Sequence, residues 1–174
     1  MKIRSKIFAS VSVLIIILAI AGTNSGCGIY RFNDASIPDS IKSIKINFIE
    51  NRATYINPQL SPKLTDKLRL KITSQTKLSQ TNKDNADWEV SGSITSYTFI
   101  TSAISGQQSV NNRLTVGIQI SVYDRKADQT KRYDISRSWE IRGNRSFQDA
   151  ENEIGDEMTR TLADEIFNKI FSNW

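Results

Sequence analysis

From Ile44 the chain alternates. Ile44, Ile46 and Phe48 are apolar, and Lys45 and Asn47 fall between them. Period two reads as a half-buried β-strand, with the three apolar side chains on one face. The period then changes. Leu60, Leu64, Leu68 and Ile72 recur every four residues, with Leu78 further on and Lys63, Asp66, Lys67 and Lys71 between. This spacing predicts an amphipathic helix that ends before the "SQTNKDN" stretch. Asn57-Pro58 and Ser61-Pro62 both look like helix starts, each a capping residue followed by proline.

Three runs of period two follow. In "DWEVSGSITSYTFI", Trp88, Val90 and Ile94 keep one phase, whereas Tyr97 and Phe99 keep the other. A phase change inside one strand predicts a bulge near Ser93–Ser96. In "RLTVGIQISVYD", Leu114, Val116, Ile118, Ile120 and Val122 all face one way. In "TKRYDISRSWEIR", Tyr133, Ile135, Trp139 and Ile141 share a face that also carries Arg137. Short links make these three strands an antiparallel meander. The aromatics Phe48, Trp88, Tyr133 and Trp139 lie on inward phases and read as core.

A second helix closes the chain. Ala150, Ile154, Met158, Leu162, Ile166 and Ile170 form its stripe, and Ser146 to Asp149 resembles a capping box. Asp149, Glu151 and Glu153 suit the positive end of the helix dipole, and Lys169 suits the other. Neither helix buries its stripe alone, and the sheet has one apolar face. The expected fold is therefore α+β: two helices on one face of a four-stranded sheet, in the order β-α-β-β-β-α over residues 43–174. The first strand can pair at either edge of the meander.

The N-terminus changes the picture. "MKIRSK" is a short basic segment, and the apolar stretch after it has its core from Val13 to Ala21. That core is shorter than the ~20 residues a membrane-spanning helix needs, so residues 1–26 read as a signal peptide. Two cleavage sites compete. One follows "AIA" at Ala19–Ala21. The other lies before Cys27, where "NSGC" resembles a bacterial lipobox, with Asn24 in the place usually held by an aliphatic residue. Cys27 is the one cysteine of the chain. Exported chains meet an oxidising compartment, and acylation gives an unpaired thiol a use. Residues 27–42 then form a lipidated tether, punctuated by Pro38.

Charge and composition narrow the function. The net charge is +5, but Lys2, Arg4 and Lys6 precede every acid; without residues 1–26, 20 basic residues face 18 acidic ones, a net of +2. This is not a nucleic-acid footprint. There is no histidine, and no nucleophile elbow or phosphate-binding glycine loop, so neither an enzyme nor a cofactor or metal is expected. The acids from Asp149 to Glu157 read as an exposed helix start rather than a metal site. Arg125, Lys126, Lys131 and Arg132 cluster in one hairpin. They are either a contact for anionic groups or a solvated tip. The loop "TSAISGQQSVNNR", uncharged until Arg113, is either a docking loop or a slack hairpin.

Several segments together resemble the LptE family, in its divergent LptE-like branch. They are "CGIYRF", "ENRATYINPQLSPKLTDKLR", "NNRLTVGIQISVYD" and "IFNKIFSNW". The resemblance covers most of residues 27–174. It implies a fold of two helices on a four-stranded sheet and a role without catalysis. The protein would be an outer-membrane lipoprotein, held by lipid on Cys27, that partners the LptD β-barrel and helps deliver lipopolysaccharide to the outer leaflet. Arg125, Lys126, Lys131 and Arg132 are the expected lipopolysaccharide contacts, resting on charge alone. The alternative is a lipoprotein pilot or accessory subunit of another outer-membrane complex, such as a secretin.

Overall fold

Two periods of hydrophobic residues, two and four, become a sheet and a helical layer. The computed structural model describes residues 37–103, 110–142 and 146–172. The signal peptide, Cys27, most of the tether and the centre of the uncharged loop lie outside the described residues. Five strands form: β1 (Ser43–Asn51), β2 (Ser79–Gln80), β3 (Trp88–Ala103), β4 (Val110–Asp124) and β5 (Gln129–Arg142). Helix α1 (Leu60–Gln75) joins β1 to β2, and α2 (Phe147–Phe171) follows β5.

The sheet order is β2-β1-β3-β4-β5. β1 runs parallel to β2 and β3, and β3, β4 and β5 form the antiparallel meander. The open question of edge is thereby answered: β1 joins the β3 side. The fold is α+β with both helices present, and the sheet is mixed with five strands rather than four. The extra strand, β2, is two residues long and carries no apolar alternation, so no periodic pattern marked it.

Helix α1 starts where Asn57 turns the chain. Its Oδ1 accepts the N–H groups of Gln59 and Leu60, at 2.8 and 3.1 Å. Pro62 lies in the first turn, where a missing N–H leaves no helical bond unmade. Leu60, Leu64, Leu68 and Ile72 are all buried, as is Leu78 beyond the helix end. Each such aliphatic side chain contributes about 1.5–3 kcal/mol by leaving water. Ser146 caps α2, accepting the Asp149 N–H at 3.1 Å. Ala150, Met158, Leu162 and Ile166 are buried, while Ile154 and Ile170 pack at the core margin.

The expected bulge in β3 is present, as the register with β4 shifts between Ile94 and Ser96. Gly117 stands opposite. A Cβ there would run into the Ser96 hydroxyl, so a larger residue would require the Ser96 side chain to turn away. A second irregularity was not foreseen. The register of β1 shifts between Ile46 and Ile49. The extra residue turns Phe48 outward, 52% exposed, and brings Ile49 into the core. The inward reading of Phe48 is corrected accordingly, whereas Trp88 is buried and Tyr133 and Trp139 pack partly against the core. Arg137 keeps its place opposite Val116, but on the edge strand its Nε reaches Glu165 of α2 at 3.0 Å.

Candidate functional site

The sheet has two functional-looking ends. At the first, β1 and β3 begin, β4 ends and β5 begins. Asp87, one residue before β3, ties these together. Its Oδ2 accepts the N–H groups of Lys42 and Ser43, at 2.8 and 2.9 Å, and the Ser43 hydroxyl at 3.0 Å. The Ser43 hydroxyl in turn accepts the Asp87 N–H at 2.9 Å. The Lys126 ammonium stands 3.2 Å from Asp87 Oδ1. The Lys42 and Ser43 donors outweigh partial burial and hold this carboxyl far below the usual carboxylate range. Asp124 accepts the N–H groups of Lys126 and Ala127, at 2.9 and 3.0 Å, and the Trp88 indole at 3.0 Å. Burial pushes Asp124 up, but these donors win and its carboxyl also lies below the usual range.

This geometry divides the four expected basic residues. Arg125 is engaged by its own fold: its Nε donates to the Ala86 carbonyl at 3.0 Å, and its Nη2 donates to the Asp84 carbonyl. The guanidinium also lies 5.4 Å from the Tyr123 ring centroid. Lys126 pairs with Asp87 and donates to the Ser40 carbonyl. Lys131 and Arg132 are exposed but point to opposite faces, as neighbours on a strand must. Lys131 stands opposite Val122 on the helix side. There it lines a groove of about 900 Å³ between β5 and α2, with Trp88, Tyr133, Ile135, Lys169 and Ile170. Arg132 stands opposite Ser121 on the open face. It lines a shallower groove of about 440 Å³ with Asn47, Phe48 and Gln119. The four residues share a hairpin but not one surface.

The other end holds a residue that sequence reasoning placed on an exposed helix start. Glu151 is buried. Its Oε1 accepts the Tyr97 hydroxyl at 2.7 Å and the Asn57 amide at 2.6 Å. Its Oε2 accepts the Tyr55 hydroxyl at 3.1 Å. Rings of Tyr55, Tyr97, Phe99 and Phe147 surround this group. Burial and then the Glu151 carboxylate push the Tyr97 hydroxyl well above its ordinary range, and the same causes raise Tyr55. The signal was present: Phe147, Glu151, Ile154 and Met158 are spaced four, three and four, on one helical face. Asp87 had no comparable signal, because its donors come from 44 and 45 residues away.

Among the described residues, no group of three or more acidic or cysteine side chains is arranged to hold a metal. No helix there is long and apolar enough to cross a membrane. The hairpin end thus offers exposed cations, Lys131 and Arg132, whereas the Glu151 end is closed by its own tyrosines and Asn57.

Solved structures with this architecture include lipoproteins. An uncharacterized lipoprotein B from Nitrosomonas europaea matches with a TM-score of 0.53 at 13% identity, over 84% of this chain and 92% of that one. A minor lipoprotein from Acinetobacter baumannii matches with a TM-score of 0.50 at 15% identity, over 75% and 93%. A putative neuraminyllactose-binding hemagglutinin homolog from Helicobacter pylori matches with a TM-score of 0.52 at 11% identity, over 82% and 92%. At these identities the fold alone is shared. No curated protein matches the sequence. The LptE model, described as lipopolysaccharide-assembly, matches residues 41–170. The chain belongs to the LptE family.

Proposed function

We propose that the protein is an outer-membrane lipoprotein that partners an LptD-like β-barrel in assembling and operating lipopolysaccharide transport, without catalysis. The family match over residues 41–170 carries this reading. The lipobox-like "NSGC" supports lipidation of Cys27 after removal of residues 1–26. Each buried acyl CH₂ adds about 0.8 kcal/mol of membrane affinity, so more than one chain on Cys27 anchors the domain firmly. Residues 27–42 then act as the tether, and anchoring raises the effective concentration of the domain near its barrel. A folded domain with a polar surface suits the polar lumen of an outer-membrane barrel.

Lipopolysaccharide phosphates are the anions that the hairpin would meet. Of Arg125, Lys126, Lys131 and Arg132, the last two stand exposed with no ion pair to a described residue, and they carry most of the proposed contact. A tagged protein should bring down a large LptD-like barrel, and Cys27→Ala should release it from the membrane fraction. Lys131→Glu with Arg132→Glu should lower lipopolysaccharide binding about tenfold at unchanged melting temperature. A tagged protein that recovers no barrel, or a charge-reversed variant that binds lipopolysaccharide as well as the parent, removes the corresponding part of the proposal.

A further inference from the structure

A sheet edge presents unpaired N–H and C=O groups, and proteins usually blunt such edges. Two of the free edges here are blunted. Along β1, beyond the two residues that β2 covers, α1 supplies the partners. Thr65 Oγ1 accepts the Ile49 N–H at 3.1 Å, and Arg69 donates to the Ile46 carbonyl at 3.1 Å. Along β5, charged residues recur through the strand: Lys131, Arg132, Asp134, Arg137 and Glu140.

The third edge has neither device. β1 stops pairing with β3 at Ile94, where the Arg52 N–H makes the last bond, 2.9 Å to the Ile94 carbonyl. Past the bulge at Thr95, β3 continues to Ala103, paired with β4 from Ser96 onward. From Thr95 to Thr101, no hydrogen bond from any described residue reaches the other edge. The stretch reads Thr-Ser-Tyr-Thr-Phe-Ile-Thr, without charge, proline or glycine and rich in good strand formers. Ile100 is 57% exposed. On the helix side Tyr97 and Phe99 pack against Phe147, at 6.1 and 5.1 Å between ring centroids, so this ribbon is held firmly.

We propose that the Thr95–Thr101 edge of β3 is a strand-addition site for an extended, uncharged segment of the barrel partner. The proposal rests on the barrel reading above. Charge selects the occupant. The exposed ions flanking the slot are already closed into pairs, Arg52 with Glu50 at 2.8 Å and Arg113 with Glu140 at 2.9 Å, and the Glu151 carboxylate on the helix side is buried and bonded to Tyr97, Tyr55 and Asn57, so the open edge itself is neutral. A charged strand would find no counter-ion there. A neutral strand of about seven residues, roughly 23 Å long, would gain main-chain hydrogen bonds and cover Ile100.

The test is photo-crosslinking in cells, with the tagged full-length chain carrying the crosslinking residue at Thr98 or Ile100 and, as control, at Ser136 on β5. Crosslinks to the barrel from Thr98 and Ile100 but not from Ser136 are expected. Ile100→Lys should cut barrel recovery at least tenfold at unchanged melting temperature, and Ile100→Val should not. A barrel recovered normally with the Lys variant, or crosslinked only elsewhere, overturns the edge site and leaves the barrel reading standing. Failure of the unmodified chain to recover any barrel overturns both. Crosslinks joining two copies of this chain through Thr98 or Ile100 overturn the choice of occupant.

Discussion

The two ends of the sheet are each organised by one carboxylate, in opposite ways. Asp87 is held by main-chain N–H groups, a serine hydroxyl and a lysine, at a surface rich in ions. Glu151 is held by two tyrosine hydroxyls and an amide inside an aromatic cage. Both fasten loops that the hydrophobic pattern leaves unconstrained. A carboxylate bonded to main chain and cations keeps its charge cheaply, whereas a buried one depends on every neutral donor being in place. The Glu151 end should therefore fail abruptly and the Asp87 end gradually.

The largest effect is expected at the buried end. Glu151→Leu leaves the Tyr97 hydroxyl and the Asn57 amide without their acceptor and should cost about 3 kcal/mol, read by chemical denaturation. Glu151→Gln retains an acceptor and should cost about 1 kcal/mol. Equal losses in the two variants would mean that charge, not hydrogen bonding, holds this end. Next comes Asp87→Asn, expected to cost about 1.5 kcal/mol at neutral pH. The folded-state carboxyl of Asp87 lies below its unfolded value. Its contribution is thus present above about pH 4 and is lost as the pH falls through the depressed folded-state value. The stability gap between parent and Asp87→Asn should shrink on acidification. A gap independent of pH would show that the aspartate acts only through shape. The smallest effect is Lys126→Met. Its ion pair with Asp87 is half exposed and should contribute about 0.5 kcal/mol, diminishing with salt.

Periodicity carried the fold a long way. The α1 and α2 stripes and the β4 face needed only spacing, because their partners are generic apolar surface. The β3 bulge was legible because it shifts the phase of a long run. The β1 irregularity was not, because only Ile49 follows it in the apolar series and Phe48 fits either phase. β2 left no trace, being held by main-chain bonds such as that from the Ser79 N–H to the Lys42 carbonyl. The charged hairpin was legible as a composition and misleading as a surface. Strand alternation separates Lys131 from Arg132, and Arg125 and Lys126 turn back to acceptors far away in sequence. A resemblance reports which family those residues serve, but only coordinates say which of them stay available.

The bond from Tyr55 to Glu151 joins residues 96 positions apart. The β3-β4-β5 meander has only short-range loops to close, so it can form early, whereas this bond must wait for α2 to dock across most of the domain. The aromatic cage is thus a long-range closure, and the loop entropy it must overcome exceeds that of any hairpin in the meander.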